Sequence, residues 1–124
     1  MSEHFPNNEK LKSKKLFDQL FSEGKSVNAF PVKLVFVPIE NQENASTHKT
    51  GVSAPKRKFK KAVDRNRLKR LLREAFRKNK HLINNTEQKY ALLFIYTGKE
   101  IVPYSTIFSA VEKLLHKFVE HQKK

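Results

Sequence analysis

One basic and amphipathic segment, residues 56–80, constrains the fold of this chain more than any other feature. It holds thirteen Lys or Arg residues against two acids, Asp64 and Glu74. Between the charges, apolar residues recur at intervals of three and four positions, the spacing of a helix with one buried face. These residues are Leu68, Leu71, Leu72, Ala75 and Phe76. A disordered basic tail lacks such a pattern, so the segment predicts a helix that packs on a core.

The cations of this helix are also regularly spaced. Arg65, Lys69, Arg73 and Arg77 lie four residues apart on the side away from the apolar stripe, with Asn66 and Arg70 beside them. Like charges at this spacing destabilise an isolated helix by a few tenths of a kcal/mol each, so the row predicts an anionic partner. The net charge of +14 over 124 residues points the same way, because a strongly basic chain attracts polyanions.

The rest of the chain predicts a single α+β domain with residues 1–10 as a flexible tail. Apolar spacing and turn residues place a short helix, capped by Ser13 and stopped by Gly24, before the first strand. The other predicted elements are strands over 31–38, 50–54 and 90–96 and a last helix over 105–121, with a polar, solvated loop over 41–48.

Several classes of function lack the residues that they need. The chain has no cysteine, which excludes disulfides, thiol nucleophiles and Cys-ligated zinc. The acids are scattered, and the three glycines form no phosphate-binding loop. We expect the five histidines to be solvated: His4, His48, His81, His116 and His121. The sequence therefore predicts no catalytic residue, and it has no apolar run of membrane-spanning length, so we expect a cytoplasmic protein without membrane contact.

Nucleic-acid binding is the function that the charge pattern favours, because a folded cationic helix binds phosphates with release of counterions. Duplex DNA is the weaker candidate, since Asn66 alone on the exposed helix face is of the type that reads bases. Phe17 and Phe21, one helical turn apart, are compatible either with a core position or with stacking on bases. Of the two, we expect Phe17 to be the more exposed.

Three stretches resemble the bacterial ribonuclease P protein component. Residues 61–77, KAVDRNRLKRLLREAFR, resemble the signature helix of that family. Phe17, Phe21 and Gly24 match the spacing F-x3-F-x2-G of its first helix, and residues 51–57, GVSAPKR, resemble its strand and basic loop. The resemblance extends from about Leu11 to Phe118.

The resemblance implies a fold with the order α-β-β-β-α-β-α, a four-stranded sheet and a left-handed crossover around the basic helix (ribosomal protein S5 domain 2-like). It implies the protein subunit of an endonuclease that removes the 5′ leader from precursor tRNA. The catalytic RNA would hold the reaction centre and most of the Mg²⁺, with no cofactor bound tightly by the protein and no obligate protein partner. A ribosomal-type RNA-binding structural protein without a role in cleavage is the alternative.

The resemblance also assigns residues to two surfaces. One surface would bind the RNA subunit through Lys56, Arg57, Lys61, Arg65, Asn66, Arg67, Lys69, Arg70 and Arg73. The other would bind the leader of precursor tRNA through Phe17, Phe21 and either Val35 or Phe36. Asp64 and Asn66 could hold a metal only through water, so the protein's metal site is left unassigned.

Overall fold

The computed structural model describes residues 11, 14–39, 48–83 and 88–122. The elements are α1 (Lys14–Glu23), β1 (Lys25–Ala29), β2 (Val32–Pro38), β3 (Lys49–Ser53), α2 (Ala62–Asn79), a 3₁₀ turn (Lys80–Ile83), β4 (Tyr90–Tyr96) and α3 (Tyr104–Gln122). This order confirms the α-β-β-β-α-β-α prediction. The predicted tail, the Ser13 cap and residues 41–47 of the predicted loop lie outside the described residues. No described helix combines the length and apolarity that crossing a bilayer requires.

The four strands form one sheet in the order β1-β2-β4-β3. Antiparallel pairing joins β1 to β2 and β2 to β4, whereas β3 runs parallel to β4. A parallel pair of neighbours needs a crossover connection, and α2 lies in that connection. The left hand of the crossover stays a prediction from the resemblance.

Successive side chains of β2 point to opposite faces of the sheet, and each face has its own apolar cluster. Val32, Leu34 and Phe36 join the larger cluster, which includes α2 and α3, whereas Val35 and Val37 join the smaller cluster under α1. The sheet is therefore the middle of three layers, with α1 on one side and the two long helices on the other.

This alternation corrects one predicted site residue. Phe36 is 2% exposed, and its ring lies edge-on to the ring of Phe118 with 4.9 Å between centroids. It is a core residue on the α3 side, so it cannot line a surface shared with α1. Of the two alternatives for the first apolar strand, Val35 is the one on the α1 side.

The patterns of apolar residues did not predict strand β1. Its sequence, KSVNA, has only two apolar residues, and no described part of its span is fully buried. As an edge strand it pairs on one side only, and the following turn and β2 hold it in place. The resemblance, and not an alternation of apolar residues, therefore predicted the fourth strand.

Gly24 connects α1 to β1 where the backbone lies very close to β2. Its N–H donates to the Leu20 carbonyl oxygen at 3.1 Å. A Cβ atom at this position would overlap that oxygen and lie 2.7 Å from Cγ1 of Val35. A glycine is needed here because any side chain would push α1 off the sheet.

The expectation of a solvated His48 is wrong. The residue is 9% exposed, and its Nδ1 accepts a hydrogen bond from the Tyr90 backbone N–H at 3.0 Å. The proton therefore resides on Nε2, which donates to the Ile83 carbonyl oxygen at 3.3 Å. Burial lowers the pKa of the imidazole, and the charge of Lys89 lowers it further, against the opposing effect of the bond to Ile83. The neutral ring joins the start of β3 to β4 and the 3₁₀ turn.

This geometry predicts a loss of stability in mild acid. A histidine pKa below its unfolded value of 6.5 means that the unfolded state binds more protons. The stabilisation is therefore complete above that value and is lost as the pH falls through the lower folded pKa. We expect the melting temperature to fall between about pH 7.5 and about pH 5.5, above the range in which ordinary carboxylates titrate. His48→Gln should flatten this dependence, whereas His116→Gln, at an exposed site, should leave it as in the parent.

Candidate nucleic-acid interface

The outer face of α2 follows from its buried face. Leu68, Leu72, Ala75, Phe76 and Asn79 point inward, so the residues half a turn away face solvent. The exposed polar residues of its first half are Asn66, Arg67 and Arg70, while Lys69 and Arg73 are half-buried on one flank. The predicted row of cations thus lies beside the outermost line of the helix rather than along it. We call this face, with the loop before it, the cationic α2 surface (residues 55–73).

Arg65 has a structural task that its spacing did not indicate. Its Nη1 donates to the carbonyl oxygens of Phe59 and Lys60, at 2.8 Å and 3.0 Å. The side chain is half-buried and ties the first turn of α2 back onto the preceding loop. A contact of Arg65 with RNA stays a prediction.

The loop before α2 is anchored by Phe59. This residue is buried, and its ring lies 5.7 Å from the ring of Tyr96. The backbone N–H groups of Lys58 and Phe59 both donate to the Pro55 carbonyl oxygen, and the Lys58 ammonium donates to the carbonyl oxygen of Thr97 at 2.9 Å. The loop therefore has a fixed shape, and it presents the remaining cations to solvent: Lys56, Arg57, Lys60 and Lys61.

Charge is partly balanced just beyond this surface, in the last turns of α2. At the C-terminal end, the Glu74 carboxylate accepts hydrogen bonds from Nη2 and Nε of Arg77, at 2.7 Å and 3.1 Å, and Lys78 lies 3.5 Å away. The bond from Arg77 is the main reason that the pKa of Glu74 is lowered. Residues 56–73, by contrast, contain ten Lys or Arg and one acid, Asp64. The strongest positive field therefore surrounds the N-terminal half of α2 and its loop.

The second predicted site lies on the other face of the sheet. Leu16, Phe17 and Leu20 pack from α1 onto the smaller apolar cluster, whereas Phe21 is 72% exposed. The expectation that Phe17 is the more exposed ring is thus wrong. Because α1 and Gly24 cover Val35, that residue is 8% exposed and supports the helix more than it lines an open surface.

One row of the sheet beside α1 keeps a polar character. In the strand register, Lys33 is opposite Asn28 of β1 and Ile95 of β4, and Ile95 is in turn beside Ser53 of β3. All four residues are exposed or half-buried. We call this row together with Phe17 and Phe21 the α1–sheet surface. Lys33 was not among the predicted site residues, although its position two residues before Val35 places it on the same face of the sheet as Val35.

The described residues contain no cluster of typical metal ligands. Among the residues that the structure describes, no three His, Cys, Asp or Glu side chains come together. Asp64 and Asn66 are an acid and an amide two residues apart on α2, and the metal site of the protein stays unassigned.

Together, these features define a small basic α+β protein with a fixed cationic surface of the kind that binds RNA. The family model for ribonuclease P matches residues 5–119. The ribonuclease P protein component of Porphyromonas gingivalis is 35% identical over 111 residues, 86% of this chain and 80% of that protein. That of Caldanaerobacter subterraneus is 36% identical over 117 residues, 93% of each chain.

Solved structures agree with these matches. The ribonuclease P protein of Thermotoga maritima superposes with a TM-score of 0.71 at 27% identity, covering 88% of this chain and 96% of that one. The Staphylococcus aureus protein, at 21% identity, shares the fold with a TM-score of 0.72 and coverage of 89% and 94%. The chain belongs to the ribonuclease P protein family. Its function is accordingly that of the protein subunit of ribonuclease P, in tRNA processing, rather than that of a ribosomal-type structural protein.

Proposed function

We propose that the cationic α2 surface binds the catalytic RNA and that the α1–sheet surface binds the 5′ leader of precursor tRNA, while the RNA carries out the cleavage. The observation that carries this proposal is the unbalanced charge of residues 56–73 on a loop and helix of fixed shape. The two surfaces lie on opposite faces of the sheet, so one protein can contact both RNAs at once.

Binding of the RNA subunit rests on electrostatics and on preorganisation. Cations that contact phosphates release condensed counterions, and the gain grows with the number of contacts. The anchors at Phe59 and Arg65 fix the loop before RNA arrives, which lowers the entropy cost of binding. The guanidinium groups of Arg67 and Arg70 can each form two parallel hydrogen bonds with a phosphate.

Stacking on an aromatic ring does not depend on which base is present, so it suits a site that binds leaders of different sequence. The exposed ring of Phe21 offers a stacking face, and Lys33, on the same side of the sheet as α1, offers a partner for a phosphate. We assign Phe17 to positioning α1, because its ring packs on the smaller apolar cluster.

We assign the chemistry, and the Mg²⁺ that supports it, to the RNA subunit. The sequence predicts no nucleophile paired with a base, which supports this assignment. In the part of the chain that the structure describes, the one buried imidazole is that of His48, and it uses both ring nitrogens for backbone hydrogen bonds. The protein then acts as a non-catalytic subunit in the cytoplasm, without an obligate protein partner.

Reconstitution tests this division of labour. At low Mg²⁺, the RNA subunit with the protein should cleave a precursor tRNA, whereas the protein alone should leave it intact at every Mg²⁺ concentration. The RNA alone should cleave slowly at raised Mg²⁺. Cleavage by RNA-free protein at a rate near that of the complex would overturn the assignment.

A further inference from the structure

Among the described residues, three large apolar side chains are exposed: Phe21, Val63 and Phe30. The first lies on the α1–sheet surface and the second in the first turn of α2. Phe30 belongs to neither surface. Phe30 is 80% exposed in the turn between β1 and β2, so its ring contributes no stability through burial.

The turn that carries Phe30 is fixed in place. Pro31 is buried, and its carbonyl oxygen accepts a hydrogen bond from the Thr97 N–H at 2.8 Å. Gly98 lies close enough that an added Cβ would be 3.1 Å from Cβ of Pro31. The backbone therefore holds the ring outward.

A groove of about 480 Å³ lies beside this ring, between the β1–β2 turn and α3. Its helical side presents hydroxyl groups and ammonium groups: Ser105, Thr106, Ser109, Lys113 and Lys117. None of the described residues that line it is acidic. The Lys117 ammonium donates to the Asn28 carbonyl oxygen at 2.5 Å, which holds α3 to the edge strand, and Lys113 is exposed one turn earlier.

We propose that this groove binds a nucleotide of single-stranded RNA, with its base stacked on Phe30 and its phosphate at Lys113. An aromatic face next to cations is the combination that binds single strands, because bases stack and phosphates neutralise charge. The hydroxyl groups of Ser105 and Ser109 can bond ribose or phosphate oxygens. An acidic peptide would pair with the lysines but would leave the ring without a stacking partner.

The groove is separate from the cationic α2 surface. α3 packs over β1 and β2, whereas α2 packs over β3, at the opposite edge of the sheet. None of the lining residues belongs to α2 or to the loop before it. The proposal adds a third RNA contact and does not depend on how the other two surfaces divide their partners.

The chain has no tryptophan, so Phe30→Trp introduces a single fluorescent reporter at the groove. Titration of the full-length variant with a short oligoadenylate should quench this fluorescence to saturation. An abasic oligonucleotide of the same length, which has the phosphates without the bases, should not quench it. In the same background, Lys113→Glu should raise the dissociation constant about threefold or more. Lys14→Glu, an equal change of charge on α1, should leave it unchanged.

Two further measurements separate this groove from the other surfaces. Removing Arg67 and Arg70 in the reporter background should weaken RNA-subunit binding and leave the quenching constant as it was. In the unmodified chain, an oligonucleotide with a photoreactive thio-base should crosslink to residues 25–33 or 104–117. Quenching by the abasic strand or by polyglutamate to the same extent, or crosslinks confined to other segments, would refute the proposal.

Discussion

Replacing both Arg67 and Arg70 by alanine should weaken binding of the RNA subunit roughly 10- to 100-fold near physiological salt. Both side chains are exposed on the outer face of α2, within residues 56–73, where cations outnumber acids ten to one. Each lost phosphate contact should also reduce the slope of log K against log salt by about one, so the double variant should lose about two. Filter binding or fluorescence titration over a range of salt concentrations measures both quantities.

Leu72→Ala is the matched control on the same helix. Leu72 is fully buried, so its truncation leaves a cavity and should cost about 2–5 kcal/mol of folding free energy. Its salt slope should match that of the parent under conditions in which the variant is folded. If the arginine variant instead lost stability and kept the parental slope, the outer face of α2 would be structural and the assignment of the surface would be wrong.

The sequence predicted the elements whose burial leaves a regular pattern. Leu68, Leu72 and Phe76 repeat at helical spacing because one side of α2 is in contact with the core, and the continuous apolar run of β4 reflects a central strand covered on both faces. Strand β1 left no such pattern, since an edge strand with exposed side chains is under little constraint from packing. Its place in the fold depends on pairing with β2, which no local property of KSVNA specifies.

The open alternative and the errors at the level of single residues share a cause. Whether Phe36 or Val35 faces α1 depends on which face of the sheet each helix covers, and this is a property of the tertiary structure. His48 follows a polar stretch of sequence, yet the chain returns it to a buried position between Tyr90 and Ile83. The order of exposure of Phe17 and Phe21 depends on how α1 is rotated on the sheet, and four residues of helical spacing leave that rotation undetermined.

For the predicted site, the sequence indicated the charge but not the contacts that hold the charged residues in position. The cations around α2 are evident from the sequence, because they are more numerous than the cations of an ordinary solvated helix. The groups that hold them in position are contacts across the chain: Phe59 packs on Tyr96, and Arg65 bonds the backbone of the loop. The one signal of them in the sequence is Phe59, an apolar residue in the middle of a basic loop.

Phe21→Ala should reduce the affinity of the assembled enzyme for precursor tRNA by about 1–3 kcal/mol, or about 5- to 150-fold, through loss of one base stack. The ring is 72% exposed, so its removal should change the melting temperature little. Affinity for mature tRNA and for the RNA subunit should stay at the parental level, because neither partner carries a leader. The ratio of precursor to mature tRNA affinity at fixed salt is the quantity to measure.

Phe17→Ala should produce the opposite division, because the two rings differ in burial although they share one helix. Phe17 packs on the cluster formed by Leu20, Val35 and Leu93, so its truncation should lower the melting temperature by several degrees. The substitution should weaken the binding of precursor tRNA and of mature tRNA to the same extent. A displaced α1 affects the whole fold and not only the binding of the leader. A precursor-to-mature ratio equal to that of the parent in both variants would rule out stacking of the leader on α1. A selective loss in Phe17→Ala alone would mean that α1 turns on the sheet when the leader binds.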